Sequence, residues 1–448
     1  MGMDTLRTQA AEDTAGLRRE QRGWYFYDWA CSVYSTSVLT VFLGPYLTAV
    51  AEKAADADGF VHPLGVPVRA GSFFAYSVSL SVIVAVVAMP LVGSAADRTG
   101  RKKPLLAAAA YTGAAATTGL FFLDGDRYLL GGVLLVVANA AQSVGMMLYN
   151  SYLPQIAAPE ERDAVSSRGW AFGYAAGSTV LVANLVLYSA HGSFGLSETA
   201  AVRICLASAG LWWGAFTLVP LRRLRDRRAR VERATAPGLR QLAATVRDMR
   251  GHPLTLAFLL AYLIYNDGIQ TVISQASVYG SQELRLGQST LIVAVLLVQV
   301  LAVAGALAMG RLARVYGAQR TVLGSLVAWT LTLAAGYFLP ARAPVFFFVL
   351  AAGIGLVLGG SQALSRSLFS HLVPPGKEAE YFSAYEMSDR GMSWLGPLLF
   401  GVTYQLTGSY RSAIISLVAF FVVGFALLAR VPVRRAIAAA GNPVPERI

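Results

Sequence analysis

Charge is the property this 448-residue chain has least of. Asp, Glu, Lys and Arg make up 14% of it, against roughly 25% in an ordinary soluble domain. Apolar runs of about 20 residues recur from Trp24 to Arg430, each long enough to cross a hydrocarbon core ~30 Å thick. No water-soluble core could hide so many, so a soluble fold is excluded. Cysteine is almost absent. Cys31 and Cys205 each lie inside an apolar run, which rules out a disulfide framework. With four scattered histidines they form no ligand cluster, so no metal and no other cofactor is expected. The polar, mixed-charge segment before Trp24 lacks the apolar core of a signal peptide, and the first span is expected to insert uncleaved. Lysine is confined to Lys53, Lys102, Lys103 and Lys377. An arginine- and alanine-rich chain of this kind is expected from a GC-rich bacterial genome.

What is present is a basic surplus of +12. Such a surplus suggests nucleic acid. Here it sits in short stretches between apolar runs, which points to the positive-inside rule and to a lipid partner instead. The runs predict an all-α membrane protein with spans near 24–50, 71–93, 104–123, 129–151, 168–190, 200–220, 253–273, 289–310, 321–340, 345–367, 382–404 and 410–430. The two tails and the connections after spans 2, 4, 6, 8 and 10 hold about four basic residues for each one in the other connections. This places both termini in the cytoplasm of a bacterial inner-membrane protein, with an even number of spans.

The predicted organisation is a tail (1–23), a six-helix half (24–220), a linker (221–252), a second six-helix half (253–430) and a tail (431–448). The linker stretch from Arg222 to Arg250 carries ten arginines. It reads either as a topogenic tether or as a segment lying on anionic lipid. The halves repeat. Gly93 to Gly100 and Gly310 to Gly317 share one spacing, and the loops 151–168 and 367–384 align at nearly the same offset. Parallel repeats of this kind are a transporter architecture with the substrate path between them.

The stretch Gly93-x-x-x-Asp97-Arg98-x-Gly100-Arg101-Lys102, placed between spans 2 and 3, resembles the signature loop of the major facilitator superfamily. The resemblance implies a twelve-helix fold, a monomer, and a cytoplasmic latch with no substrate contact. Its glycines permit a tight turn and close helix approach. Asp97 can face a helix N-terminus, and Arg98 and Arg101 can hold carboxylates or lipid phosphate. In the degenerate copy Arg314 stands where the first copy has Asp97. Three further stretches resemble one branch, the vacuolar amino-acid exporters linked to autophagy and their bacterial relatives. They are Tyr27-Asp28-Trp29-Ala-Cys31-Ser32; Tyr149-Asn150-Ser-Tyr-Leu-Pro154 with Gly169-Trp170-Ala-Phe-Gly173-Tyr174; and Gly359-Gly360-Ser-Gln362-Ala-Leu-Ser365-Arg366-Ser367 with Leu395-Gly396-Pro397. Cys31 replaces the family's usual Asn. This branch implies export of amino acids or related small solutes.

Ionisable groups inside the bilayer cost ~3 kcal/mol each and are candidates for function. Asp28 reads as a proton-binding carboxylate or as an interfacial helix cap. Asn266 and Asp267, with Gln270 one turn on, read as a coupling-proton or substrate site, or as a buried carboxylate with a structural partner. Gln142 and Gln362 are substrate candidates or helix–helix glue. Arg168, Arg366, Glu386, Asp389 and Arg390 read as an inner-gate ion network, Glu386 and Arg390 being one turn apart. Trp24, Trp29, Trp212 and Trp213 are expected at the membrane interfaces. The functional expectation is a proton-coupled secondary exporter working by alternating access. The alternatives are a passive facilitator and an integral-membrane prenyltransferase-like enzyme using Asp267 with Asp124 and Asp126.

Overall fold

The computed structural model describes residues 2–99, 101–157, 162–226, 251–373, 385, 393–442 and 444. Gly100, Glu386, Asp389, Arg390 and linker residues 227–250 lie outside the described residues. For Asp97, Arg98 and Arg314 the description stops at the helical backbone.

The chain is helical nearly throughout. Helix α1 (Gly2–Val33) passes through a π-helical stretch (Tyr34–Phe42) into α2 (Leu43–Ala54). A short hairpin, β1 (Phe60–Val61) with β2 (Val68–Arg69), precedes α3 (Phe73–Thr99), α4 (Lys102–Gly119) and α5 (Tyr128–Asn150). The single turn α6 (Leu153–Ile156) leads to α7 (Arg162–Ser189) and α8 (Glu198–Arg223). Beyond the linker come α9 (Pro253–Val278), α10 (Gln288–Tyr316), α11 (Ala318–Tyr337) and α12 (Pro344–His371). The chain ends with α13 (Leu395–Thr407), α14 (Tyr410–Ser416), α15 (Val418–Arg430) and α16 (Val433–Ala439). Ten stretches among the described residues are long and apolar enough to cross a membrane. Helix α11 matches the expected ninth span, and α13 overlaps the end of the expected eleventh.

Local chemistry sets the ends of these helices. Pro253 and Pro344 open α9 and α12, where a missing N–H costs nothing. The Ser197 hydroxyl accepts the Ala200 N–H at 3.2 Å and so caps α8, with Glu198 in the first turn. Gly317 separates α10 from α11 at φ +92°, a conformation open to glycine and strained for other residues.

Contacts divide the chain into two compact units. The first comprises Met1–Leu43, Val87–Asp124 and Leu130–Gly238; the second comprises Gly44–Val86, Gly125–Leu129 and Leu239–Ile448. The second unit therefore includes α2, the hairpin and the first half of α3 together with the C-terminal helices. Helix α16, in the stretch expected as a tail, buries Val433, Ala436 and Ile437, and the Asn442 amide donates to the His371 and Val373 carbonyls at 2.8 Å.

Both units pack through small residues, which let helix backbones approach in a medium with no hydrophobic drive between helices. In the first unit Gly169, Gly173 and Gly177 of α7 face Asp28, Ser32 and Thr36, each pair four residues on from the last. A Cβ on Gly169 would stand 2.7 Å from Trp24 and 2.9 Å from the Tyr149 hydroxyl. In the second unit Gly305 lies against the Leu356 peptide and Gly359 against the Ala302 peptide, so α10 and α12 touch backbone to backbone. The opposite side of α10 exposes Val300 and Val303, as a lipid-facing surface requires.

The interfacial expectation for tryptophan fails at two of its four positions. Trp24 and Trp213 are fully buried core residues. Trp24 stacks on Tyr149 at 4.1 Å between ring centroids, and Trp213 fills the space left by Gly113.

Candidate functional site

In the first unit, α1, α5 and α7 build a polar cluster around Asp28. The side chain is 6% exposed. Tyr149, at the end of α5, donates its phenol O–H to Asp28 Oδ2 at 2.9 Å. Trp24, one turn before Asp28, stacks on that phenol and donates its indole N–H to the Tyr149 carbonyl at 2.9 Å. Tyr27 also stacks on Tyr149, at 5.1 Å between ring centroids. Gly169 permits this arrangement, because a Cβ there would come within 3.1 Å of Asp28 Oδ2. Among the described residues no cation pairs with Asp28. Asp28 lies far inside α1 (Gly2–Val33) and so does not cap the start of that helix. Two turns further on, the Gln142 amide donates to Ser35 Oγ at 2.6 Å. Cys31, buried on the same helix, lies 3.6 Å from Met146 Sδ and takes an apolar place where the family has a polar one.

In the second unit, Asp267 is 1% exposed. Its Oδ2 accepts the backbone N–H of Gly396 at 2.8 Å. Gly396 is the second residue of α13, where helix geometry leaves amide donors without an intrahelical partner. A carboxylate there satisfies one donor and complements the positive end of the helix. Asp267 thus caps a neighbouring helix. A side chain at Gly396 would collide with the Thr271 hydroxyl, which explains glycine in the Leu395-Gly396-Pro397 stretch. Asn266 is also buried, while Gln270 and Gln362 are half-buried. Nearby, the Tyr265 hydroxyl and Ser365 Oγ lie 2.6 Å apart and join α9 to α12.

The expected gate ion network falls largely outside the described residues. Arg168 and Arg366 are exposed, and their expected acidic partners lie outside the described residues. The signature loop shows a different clasp. Lys102 Nζ donates to the Ser151 carbonyl at 3.3 Å, and the Lys103 N–H donates to Asp226 Oδ1 at 2.9 Å. Asp226 also accepts the Tyr152 hydroxyl at 3.0 Å. Burial, with the Asp226 carboxylate beside it, pushes the Tyr152 phenol well above its ordinary value. At the start of α4 a helix-end carboxylate is thus supplied by Asp226, which the sequence left unmarked in an arginine run. Arg101 is exposed. Gly93 would tolerate a Cβ at 3.5 Å from Met147, and Gly310 has open space around it. Gly317, in the second copy of the loop, makes a true turn.

Two arginines, one in each unit, act as clamps. Arg203 pairs with Asp124 at 2.8 Å, which occupies the aspartate that the enzyme alternative needed for metal. Arg411 pairs with Glu283 at 2.8 Å and donates to the carbonyls of Tyr337, the last residue of α11, and of Leu339 just after it.

This helical architecture, with carboxylates buried in its interior, is that of a transporter of the major facilitator type. It resembles the crystal structure of the nucleoside transporter NupG, with a TM-score of 0.67 at 15% identity over 92% of this chain and 98% of that one. It also resembles a bacterial homolog of the human lysosomal transporter Spinster, with a TM-score of 0.64 at 13% identity over 95% and 96% of the two chains. These twelve-helix neighbours give the fold. A family model described as "Vacuole effluxer Atg22 like" matches residues 16–441, and the chain belongs to that family. It is 30% identical to the uncharacterized MFS-type transporter YxiO of Bacillus subtilis, over 92% of this chain and 95% of that protein. It is 29% identical to autophagy-related protein 22 of Yarrowia lipolytica, over 83% and 77%. The chain is therefore a multi-pass membrane transporter for a small molecule, and the enzyme alternative falls.

Proposed function

We propose that this transporter exports amino acids or related small solutes across the cytoplasmic membrane of a bacterium, by alternating access, in exchange for protons. In this reading both termini are cytoplasmic, the protein works as a monomer, and the halves 24–220 and 253–430 are joined by the 221–252 linker resting on anionic lipid. The observation that carries proton coupling is the Asp28 cluster. A buried carboxylate held by one phenol O–H can gain or lose a proton without orphaning a cation. Asp267, which holds a helix end through Gly396, suits a positioning role. Alternating access is supported by a seam in the second unit. Ser72 Oγ donates to the Gly401 carbonyl at 3.0 Å, Ser79 Oγ to the Trp394 carbonyl at 3.1 Å, and the Arg69 N–H to Gln405 Oε1 at 2.9 Å. Each is a single hydrogen bond to a neutral acceptor, worth about 1 kcal/mol net, so the seam can open without a large penalty.

The test uses proteoliposomes containing a pH-sensitive dye and labelled amino acids, dipeptides and other small solutes. Asp28→Asn is expected to abolish solute-driven proton movement while solute exchange persists. Proton movement that survives Asp28→Asn would sink the assignment of Asp28. Equilibration of solute with no proton movement in the wild type would make the protein a facilitator.

A further inference from the structure

We propose that α1, α7 and α8 of the first unit form a cradle for an anionic phospholipid, with its phosphate among Arg22, Arg168 and Arg223 and its acyl chains on the aromatic rings beside them. On each helix an arginine and an aromatic residue share a face. Arg22 lies one turn before Phe26 and two before Trp29 on α1, and Arg168 one turn before Phe172 on α7. On α8, Trp212 is followed one turn on by Phe216 and two turns later by Arg223. Spacings of this kind keep side chains on one side of a helix. The three faces meet. The Phe26 ring lies 5.8 Å from Phe172 and 6.4 Å from Phe216, and Trp29 lies 6.2 Å from Phe172 and 5.7 Å from Trp212. The Trp212 indole N–H donates to the Trp29 carbonyl at 3.0 Å. The Arg223 guanidinium stands 6.0 Å from the centre of the Phe26 ring.

The five rings are half-buried, so hydrocarbon reaches them, and tryptophan near the end of a span sits where headgroup meets acyl chain. The arginines beside them are unneutralised. Arg22 and Arg168 are exposed and Arg223 is half-buried, and among the described residues none of the three has an ion pair. Arg203 and Arg411, at other helix ends, are both paired. The acids described near the rim are otherwise placed. Asp226 accepts from Lys103 and Tyr152, and Glu20 of α1 is 4% exposed. Three cations around one groove without a carboxylate favour an anion, and a guanidinium binds phosphate oxygens through its planar fork. The aromatic floor decides between a free anion and a lipid, because a free anion would leave the rings uncovered. A zwitterionic headgroup fits less well, since it brings its own cation toward the arginines. The cradle rests on the membrane placement alone. It lies on helix faces of the first unit and is separate from the lipid contact proposed for the linker.

The full-length protein in detergent would be titrated with phosphatidylglycerol and with phosphatidylcholine, each carrying brominated acyl chains that quench tryptophan fluorescence on contact. Phosphatidylglycerol is expected to bind at least about ten-fold more tightly. Arg22→Gln, Arg168→Gln and Arg223→Gln are each expected to weaken it about five-fold, and the triple variant to lose the preference. Arg22 and Arg168 are exposed, so they report on the cradle even if Arg223→Gln, against Gly23, disturbs packing. Arg285→Gln combined with Arg342→Gln removes two exposed arginines of the second unit and is expected to leave binding unchanged. Trp29→Phe combined with Trp212→Phe keeps the aromatic floor and is expected to remove most of the quenching specific to phosphatidylglycerol. The proposal falls if the two lipids quench alike, or if the second-unit variant weakens phosphatidylglycerol as much as the cradle variants do. It falls also if the quenching survives loss of Trp29 and Trp212. A preference that survives the triple variant overturns the cradle and leaves the linker contact standing. Solute flux in proteoliposomes is scored separately, so the transporter reading stands or falls without it.

Discussion

Asp28 and Asp267 are both buried carboxylates on membrane helices, and the hydrogen bonds described for them differ in kind. Asp28 takes a hydrogen bond from a side chain, the Tyr149 phenol, inside a stack of aromatic rings. Asp267 takes one from the main chain at the start of α13. A phenol can rotate away when a carboxylate is protonated, whereas a helix end cannot leave without moving the helix. Side-chain partners therefore suit a group that changes charge, and main-chain partners suit a group that fixes geometry. By that argument the two aspartates, equal as letters in a sequence, have separate work.

The largest expected effect tests the fixed member of the pair. Asp267→Ala leaves the Gly396 N–H without its acceptor in a buried setting, a loss of about 1–3 kcal/mol, read as a lower thermal midpoint in detergent. Asp267→Asn keeps an acceptor oxygen and is expected to lose less than half of that. Equal losses in the two variants would mean that the carboxylate charge, rather than the cap, is what matters. A similar contrast lies in the repeated loop. Gly317→Ala forces a side chain into a backbone conformation that costs about 1–3 kcal/mol, while Gly310→Ala, in open space on a helix, gains about 0.5–1 kcal/mol. Thermal unfolding of the two variants should move in opposite directions.

Tyr149→Phe removes the donor to Asp28 and is expected to cost about 1 kcal/mol. If Asp28 carries the proton, the same variant also shifts the pH dependence of solute-driven proton movement. A stability change with an unmoved pH profile would return Asp28 to a structural role.

The smallest effect concerns a third carboxylate, outside the membrane spans. The His62 imidazole bonded to Asp56, aided by the Phe60 and Asp58 amides, holds the Asp56 carboxyl below its usual range. A depressed carboxyl stabilises the hairpin above the unfolded value of about 4 and ceases to do so as pH falls through the lower folded value. Hydrogen-exchange protection of the Phe60 and Ala70 amides, corrected for intrinsic rates, should fall below about pH 4. It should be flat with pH in Asp56→Asn.

Some of these features were legible in the sequence and some were not, for identifiable reasons. The apolar runs and the Gly93–Gly100 loop announced a membrane transporter, because span length and composition are local properties. The stretch Tyr149-Asn150-Ser marked the partner of Asp28 without saying what it touches, since Tyr149 lies 121 residues away in sequence. The same limit hid Asp226, which looks like a stray acid in an arginine run until it meets the start of α4. The tryptophans misled for another reason. An indole between a helix end and solvent and an indole packed on a tyrosine have the same sequence context, and only the neighbouring helix decides between them.

The sequence by itself determined that the chain lives in a membrane, that it repeats, and which family it resembles. The cost of putting polar groups in hydrocarbon acts on every residue wherever it falls in the fold, so those conclusions can be read from the amino-acid order. Only the tertiary structure decided that Asp28 faces a phenol, that Asp267 meets a helix end, and that Asp226 meets the start of α4. Each depends on which helix face lies opposite, and that is set by the packing of glycines such as Gly169 and Gly396 against partners far away in the chain.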